Sequence, residues 1–251
     1  MFVDTHCHIY SQYYEDIETL ILSIKQNNIS KIINNGCNLD TCKEIIKLSE
    51  LYGDMYFTLG LHPTENLDEL ENIISLIKEN LDNPKFVGIG EIGLDYYWNK
   101  DNKKEQIKVF EKQLLLAEEY NLPVVIHSRE STKDVIETLK KFKVKGIIHC
   151  FNGSLDIAKQ YVKMGYKLGV NGVVTFKNCK LIDVIREIGI ENIVFETDSP
   201  YLTPVPDRGK QNNPGYVNII ANFISNELKS SFEDLAKVTN KNVSDIFDID
   251  I

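Results

Sequence analysis

The sequence predicts one (β/α)8 TIM barrel, an α/β fold occupying residues 1–251 as a single domain, and three observations carry that prediction. Short apolar, β-branched runs alternate with longer segments whose apolar residues recur every three or four positions, the rhythm of parallel strands joined by crossover helices. There are eight such runs, the number that closes the barrel. All five histidines sit at or just after strand ends, whereas the lysines scatter among charged helical segments. That distribution is the one expected of metal ligands on a barrel rim.

The first run, Met1–His6, leads into Asp4-Thr5-His6-Cys7-His8. Side chains alternate along a strand, so His6 and His8 face the interior while Cys7 points to the helical layer. Burying two imidazoles side by side desolvates both, which favours a shared cation over a merely hydrogen-bonded pair. Ile17, Leu20, Ile21 and Ile24 then mark one face of a helix before the second run, Lys31–Asn35. The third run, Tyr56–Gly60, enters Gly60-Leu61-His62-Pro63, where a proline-fixed turn aims His62 either at a substrate or at a backbone carbonyl.

The fourth run, Phe86–Gly90, continues into Glu91-Ile92-Gly93-Leu94-Asp95-Tyr96. Its glycines leave room for cations near the backbone, or else relieve crowding at a barrel corner. Glu91 can lend one oxygen to each of two ions, and Asp95 reads as a partner of the ligands. The longest helix follows, with Val109, Phe110, Gln113, Leu114 and Ala117 on one face. The fifth and sixth runs, Val124–His127 and Gly146–His149, are neighbours on the wall, so His127 and His149 can complete a second centre with Glu91.

After the seventh run, Lys167–Val170, the eighth, Asn192–Glu196, enters Thr197-Asp198-Ser199-Pro200. It adjoins the first run across barrel closure, which lets Asp198 reach an ion held by His6 and His8. A carboxylate there can take the proton of metal-activated water, although a helix N-cap is the alternative use. The stretch Ser199–Gly215, rich in proline, asparagine and glycine, is a loop of the length that often serves function over a barrel mouth. Helices over Tyr216–Leu228 and Phe232–Val238 complete the outer layer, and an acidic tail to Ile251 is assigned no function.

For substrate, Arg129 and Arg208 can each grip a phosphate or carboxylate bidentately, or form surface salt bridges. Tyr96, Tyr97, Trp98, Phe151 and Tyr201 crowd the predicted rim, where bases can stack, although ordinary packing accounts for most aromatics. The net charge of −9 argues against a broad nucleic-acid surface, which needs a basic stripe for counterion release. Local contacts remain open at Lys100–Lys104, Lys140–Lys145 and Arg208–Lys210, each otherwise a solvated face. Five cysteines without a CxxC or paired framework point to a reducing cytoplasm. With no basic leader and no apolar run near the ~20 residues of a membrane span, the expectation is a soluble monomer without membrane or protein partner.

The motifs DTHCH, GLHP, GEIGLDYY, IHSRES, IHCFNGS and ETDSPYLTP span essentially the whole chain, which closely resembles the TatD family of metal-dependent hydrolases within the amidohydrolase superfamily. The resemblance implies two divalent cations, one held by His6, His8, Glu91 and Asp198 and the other by Glu91, His127 and His149. Glu91 takes the place of the carbamylated lysine that bridges the metals of many binuclear relatives. The resemblance also implies a deoxyribonuclease working from the 3′ end of DNA, typically with magnesium, or removal of D-amino acids from tRNA.

The expected reaction is attack of a metal-bridging hydroxide on a phosphodiester, with Glu91 and Asp198 as the catalytic carboxylates, Asp198 acting as base. His62, Arg129, Arg208 and Tyr201 are the expected substrate contacts. A carboxylic ester or amide substrate, and a non-catalytic metal-binding module, stand as the other readings. The mixed ligands leave magnesium, manganese and zinc all open.

Overall fold

A computed structural model describes residues 1–251. Eight parallel strands pair in sequence order: β1 Phe2–Cys7, β2 Ile29–Asn35, β3 Met55–Leu59, β4 Phe86–Asp95, β5 Val124–Arg129, β6 Gly146–Ile148, β7 Lys167–Val170 and β8 Ile193–Phe195. A parallel bridge between Cys7 and Ser199 brings the first and last strands together. Across this seam Asp198 N–H donates to His6 O at 2.9 Å and His8 N–H to Ser199 O at 2.8 Å. The outer layer consists of α1 Ile17–Gln26, α2 Leu39–Leu51, α3 Leu70–Glu79, α4 Lys103–Glu119, α5 Thr132–Leu139, α6 Leu155–Lys163, α7 Leu181–Ile188, α8 Val217–Leu228 and α9 Phe232–Phe247. The fold is a single (β/α)8 barrel.

Local chemistry sets these boundaries. Asp16, Asn38, Ser154 and Ser231 cap α1, α2, α6 and α9, each side chain accepting a backbone N–H of the first turn. Apolar faces of the helices pack on the outside of the barrel, where Phe57, Phe110, Ile126, Leu168 and Phe195 are buried in one continuous core. β4 runs five residues beyond Gly90 because Ile92 through Asp95 stay paired with Ile126 through Arg129 of β5. Gly93 makes this possible: at φ 149° a side chain is disfavoured, and a Cβ would meet the His127 carbonyl oxygen at 2.0 Å.

The predicted end of the chain is corrected by the structure. α9 continues nine residues past Val238, and its later turns bury Thr239, Asn242, Val243, Ile246 and Phe247. Val243, Ile246, Phe247 and Ile249 pack against Val3, Ile33, Val87, Val125, Ile147 and Val194, closing the barrel opposite the histidine-bearing ends. The tail is therefore partly a plug. The polar Thr239 and Asn242 break the apolar pattern, yet both are satisfied: Asn242 donates to Ile193 O at 2.7 Å and Thr239 to Leu235 O at 2.8 Å. No helix is long and apolar enough to cross a membrane.

Candidate metal centre

The strand ends bring His6, His8, Glu91, His127, His149 and Asp198 together, and His62 joins them from the turn after β3. Glu91 is the hub. Its Oε2 lies 3.3 Å from His6 Nε2 and 3.5 Å from His8 Nε2. Its Oε1 lies 2.9 Å from His127 Nδ1, 3.5 Å from His62 Nε2 and 3.8 Å from His149 Nε2. Each carboxylate oxygen thus serves its own set of imidazoles.

The first set fits a cation on geometry. His6 Nε2 and His8 Nε2 approach within 3.1 Å, and Asp198 Oδ1 lies 3.6 Å from the former and 3.3 Å from the latter. Ligands tetrahedral about an ion at ~2.0–2.1 Å are separated by about 3.3 Å, the middle of this range. Without an ion, the two imidazole nitrogens that point at each other share at most one proton between them, while two carboxylates crowd the same point. Burial pushes His6 below its usual pKa and His149 pushes it in the same direction, so the ring favours its neutral form. Burial works against ionised Glu91 and Asp198, but the surrounding histidines outweigh it and hold both below the ordinary carboxylate range.

For most of the rings, contacts on the far side assign the role; His6 Nδ1 is buried without a partner. His8 Nδ1 lies 2.9 Å from Tyr10 Oη and 3.2 Å from Asn35 O, an environment that keeps a proton on Nδ1 and turns Nε2 toward the cluster. Asp95 Oδ2, 3.0 Å from His127 Nε2, holds the proton there and frees Nδ1. His149 Nδ1 sits 3.1 Å from Glu196 Oε1, leaving Nε2 between Glu91 and Asp198, 3.8 Å from each. His62 differs: Thr64 N–H donates to its Nδ1 at 3.3 Å, so the neutral ring carries its proton on Nε2, facing Glu91. In that tautomer His62 points a donor into the site, and with Glu91 and His127 it also forms one of the groups spaced to hold a metal ion.

The sequence pattern assigns no role to two carboxylates of this framework, Glu196 of ETDSPYLTP and Asp4 of DTHCH. Glu196, wholly buried after β8, accepts Cys150 N–H at 2.7 Å and Asn171 Nδ2–H at 3.1 Å as well as facing His149. Gly169 on β7 makes its space, since a Cβ there would lie 2.2 Å from Glu196 Oε2. Asp4 accepts Thr197 N–H at 2.9 Å and His6 N–H at 3.2 Å, tying the His6 strand to the Asp198 turn. Burial pushes the Asp4 carboxyl up to about 8. Asp198 itself is left-handed at φ 57°, a conformation that a short acidic side chain tolerates better than most. Cys37 is also near, its Sγ 3.8 Å from His8 Nδ1 and 3.9 Å from Glu91 Oε2. Cys7 lies in the helical layer, donating to Ile33 O at 3.5 Å, and all five thiols are free.

Of the expected substrate contacts, His62 lies in this cluster, whereas Arg129, Arg208 and Tyr201 lie outside it. Arg129 and Arg208 are exposed and neither forms an ion pair; their guanidinium groups instead lie 3.9 Å from the Tyr97 ring centre and 4.2 Å from that of Phe176. Tyr201 is half-exposed, its hydroxyl 2.7 Å from that of Tyr13 and its ring 6.4 Å from His8.

A family described as TatD related DNase matches residues 3–248. The chain belongs to this family. Over 254 residues it is 39% identical to the YabD protein of Bacillus subtilis, covering 99% of this chain and 100% of that one. It is 30% identical over 258 residues to YcfH of Escherichia coli, covering 99% and 96%. Both relatives are named uncharacterized metal-dependent hydrolases. The crystal structure of YjjV, a TatD homologue from Escherichia coli, superposes with a TM-score of 0.91 at 28% identity, covering 99% of this chain and 98% of that one. A TatD family hydrolase from Entamoeba histolytica gives 0.85 at 26%, covering 98% and 97%. The TatD chain described here is a metal-dependent hydrolase, with a histidine and carboxylate cluster able to bind metal.

Proposed function

We propose that this TatD protein hydrolyses phosphodiester bonds at DNA ends, as a deoxyribonuclease of the 3′-to-5′ exonuclease type. The observation that carries the proposal is the division of Glu91: Oε2 toward His6 and His8, Oε1 toward His127, His62 and His149. That division suits two cations, one with His6, His8, Glu91 and Asp198, the other with Glu91, His127 and His149. Bound there, divalent cations supply charge for the phosphoryl oxygens and make water acidic enough to ionise near neutral pH.

The chain's own groups supply the rest. Asp198, the most accessible of the carboxylates facing His6 at 14% side-chain exposure, is placed to take the proton of the attacking water. His62 Nε2–H can donate to a phosphate oxygen beside Glu91. Asp95 and Glu196 fix the protons of His127 and His149 on the nitrogens facing away from the cluster. Arg129 and Arg208 keep their guanidinium donors free for phosphates of a strand end held locally, which a chain of net charge −9 requires.

The test is metal-stripped, repurified protein incubated with 3′-labelled and 5′-labelled single-stranded DNA, with magnesium, manganese or zinc restored. Stepwise shortening from the 3′ end that disappears in Glu91→Ala and Asp198→Asn is the expected result. No cleavage under any metal would overturn the proposal. The acidic surface gives the carboxylic ester or amide reading its support, and turnover of an aminoacyl ester instead of DNA would establish it.

A further inference from the structure

We propose that Trp98, backed by Tyr97 and Arg129, is a stacking platform for an unpaired nucleobase of the strand whose phosphodiester enters the metal centre. The proposal rests on the phosphodiester reading and names the part of the substrate that reading leaves unplaced. Trp98 is the chain's one tryptophan, and it is 68% exposed on the loop that follows β4, the strand carrying Glu91. A large indole left mostly in water on the active-site face of the barrel belongs to neither buried core.

Its exposure does not come from a loose loop. Asp95 Oδ1 accepts Tyr97 N–H at 2.9 Å and Trp98 N–H at 3.0 Å, while its Oδ2 contacts His127 at 3.0 Å. One buried carboxylate therefore fixes the backbone of the aromatic pair relative to a residue of the cluster. From the other side Gln106, buried at the start of α4, accepts Asp95 N–H at 2.9 Å and donates to Asp95 O at 3.0 Å, Asn102 Oδ1 at 2.8 Å and Asn99 O at 3.2 Å. The loop is anchored at both ends and projects the indole outward.

The surroundings suit a nucleotide. Tyr97 and Trp98 meet edge to face, ring centres 5.1 Å apart, and Arg129 lies 3.9 Å from the first and 5.7 Å from the second. Arg129 makes no ion pair, so its donors are available to a phosphate one linkage away from a base on Trp98. Lys103 stands over Tyr96 at 4.1 Å, and Lys100 is bound to Glu130 at 3.0 Å, so the free positive charge here is Arg129 and Lys103. Stacking accepts any base, which fits an enzyme that shortens strands without reading sequence.

The single tryptophan makes the test direct. Hexathymidylate with phosphorothioate linkages, which resist hydrolysis, is titrated into manganese-loaded protein while Trp98 emission is followed, and a fluorescein-labelled copy reports affinity by anisotropy. Quenching by the thymidine strand but not by an otherwise identical abasic strand is expected. Trp98→Ala is expected to weaken strand binding about 5- to 150-fold, with Trp98→Phe recovering most of it. Because the side chain is exposed, truncation removes no core packing. Equal affinity for the abasic strand, or wild-type affinity in Trp98→Ala, would overturn the platform while leaving nuclease activity standing. A strand that neither binds nor is cleaved would overturn the phosphodiester reading and the platform with it.

Discussion

Glu196 is the sharpest place to test the second half of the metal centre. In Glu196→Gln the side chain keeps its shape and its contacts with Cys150 N–H and Asn171, but loses the negative charge 3.1 Å from His149 Nδ1. Removing the carboxylate behind a ligating histidine typically costs 10- to 100-fold in metal affinity, about 1.4 to 2.7 kcal/mol. Cobalt titration with stoichiometry by atomic absorption is expected to show one site near wild-type strength, that of His6 and His8, and one weakened by that factor.

The metal-free protein gives a second readout. Burial alone would push His149 down, but Glu196 first, then Asp198 and Glu91, raise it to about 10. A histidine raised from 6.5 stabilises the fold fully below pH 6.5 and loses that contribution as pH climbs through about 10. The ceiling is about 5 kcal/mol at roughly 1.4 kcal/mol per pH unit, with about two-thirds gone by pH 9. Urea melts of chelated wild-type protein at pH 6.5 and pH 9 are expected to differ strongly, and those of Glu196→Gln much less. Two cobalt sites of wild-type affinity in the variant, with an unchanged difference between the melts, would refute the assignment of Glu196 to His149.

Other perturbations separate the remaining roles. Asp198→Asn is expected to keep metal while hydrolysis falls about 10²- to 10⁴-fold, measured at saturating metal; full activity would remove Asp198 as base. Gly93→Ala drives a Cβ to 2.0 Å from the His127 carbonyl oxygen and is expected to cost about 3 kcal/mol or more, lowering the melting temperature by about 6 °C or more in calorimetry. Restoring a divalent ion at a hundred times its dissociation constant is expected to stabilise chelated protein by about 2.7 kcal/mol, read as a rise of roughly 5–11 °C. If Arg129 and Arg208 are the main phosphate contacts, log affinity for single-stranded DNA is expected to fall with log salt at a slope near −1.4, and a slope of −4 or steeper would point to a basic surface this chain does not have.

The barrel and its rim were legible because both leave periodic marks: apolar runs at regular spacing, and histidines at the ends of those runs. What sat behind the ligands was not. Glu196 follows an apolar run in the sequence just as Glu91 does, but only the pairing of β8 with β7, and the gap at Gly169, turns it toward His149. Asp4 lies in a strand whose alternation says which face it takes but not that its carboxylate spans the barrel seam to Thr197. The length of α9 was hidden for a related reason: Thr239 bonds Leu235 O within the helix, but Asn242 finds its acceptors at Ile190 O and Ile193 O, which are in place only once the barrel has formed. For Arg129 and Arg208 the sequence offered ion pairing as an alternative, and the structure puts aromatic rings in the place of carboxylates.

Charge balance shows how so acidic a chain could accept the phosphodiester proposed for it. Glu91, Asp95, Glu196 and Asp198 place four carboxylates at or just behind the five histidines. With Asp4 pushed up to about 8 it adds no charge near neutral pH. Two divalent cations, as the proposed function requires, would bring four positive charges, leaving the mouth close to neutral so that an approaching phosphate would meet no net repulsion there. In the metal-free state the same carboxylates are matched instead by protons on the histidines: His8, His127 and His149 are all raised, with the carboxylates that face them among the causes. Metal and proton thus compete for one set of lone pairs, and loading releases protons. The acidity that rules out a broad nucleic-acid surface is, at the mouth, the charge that two cations would balance.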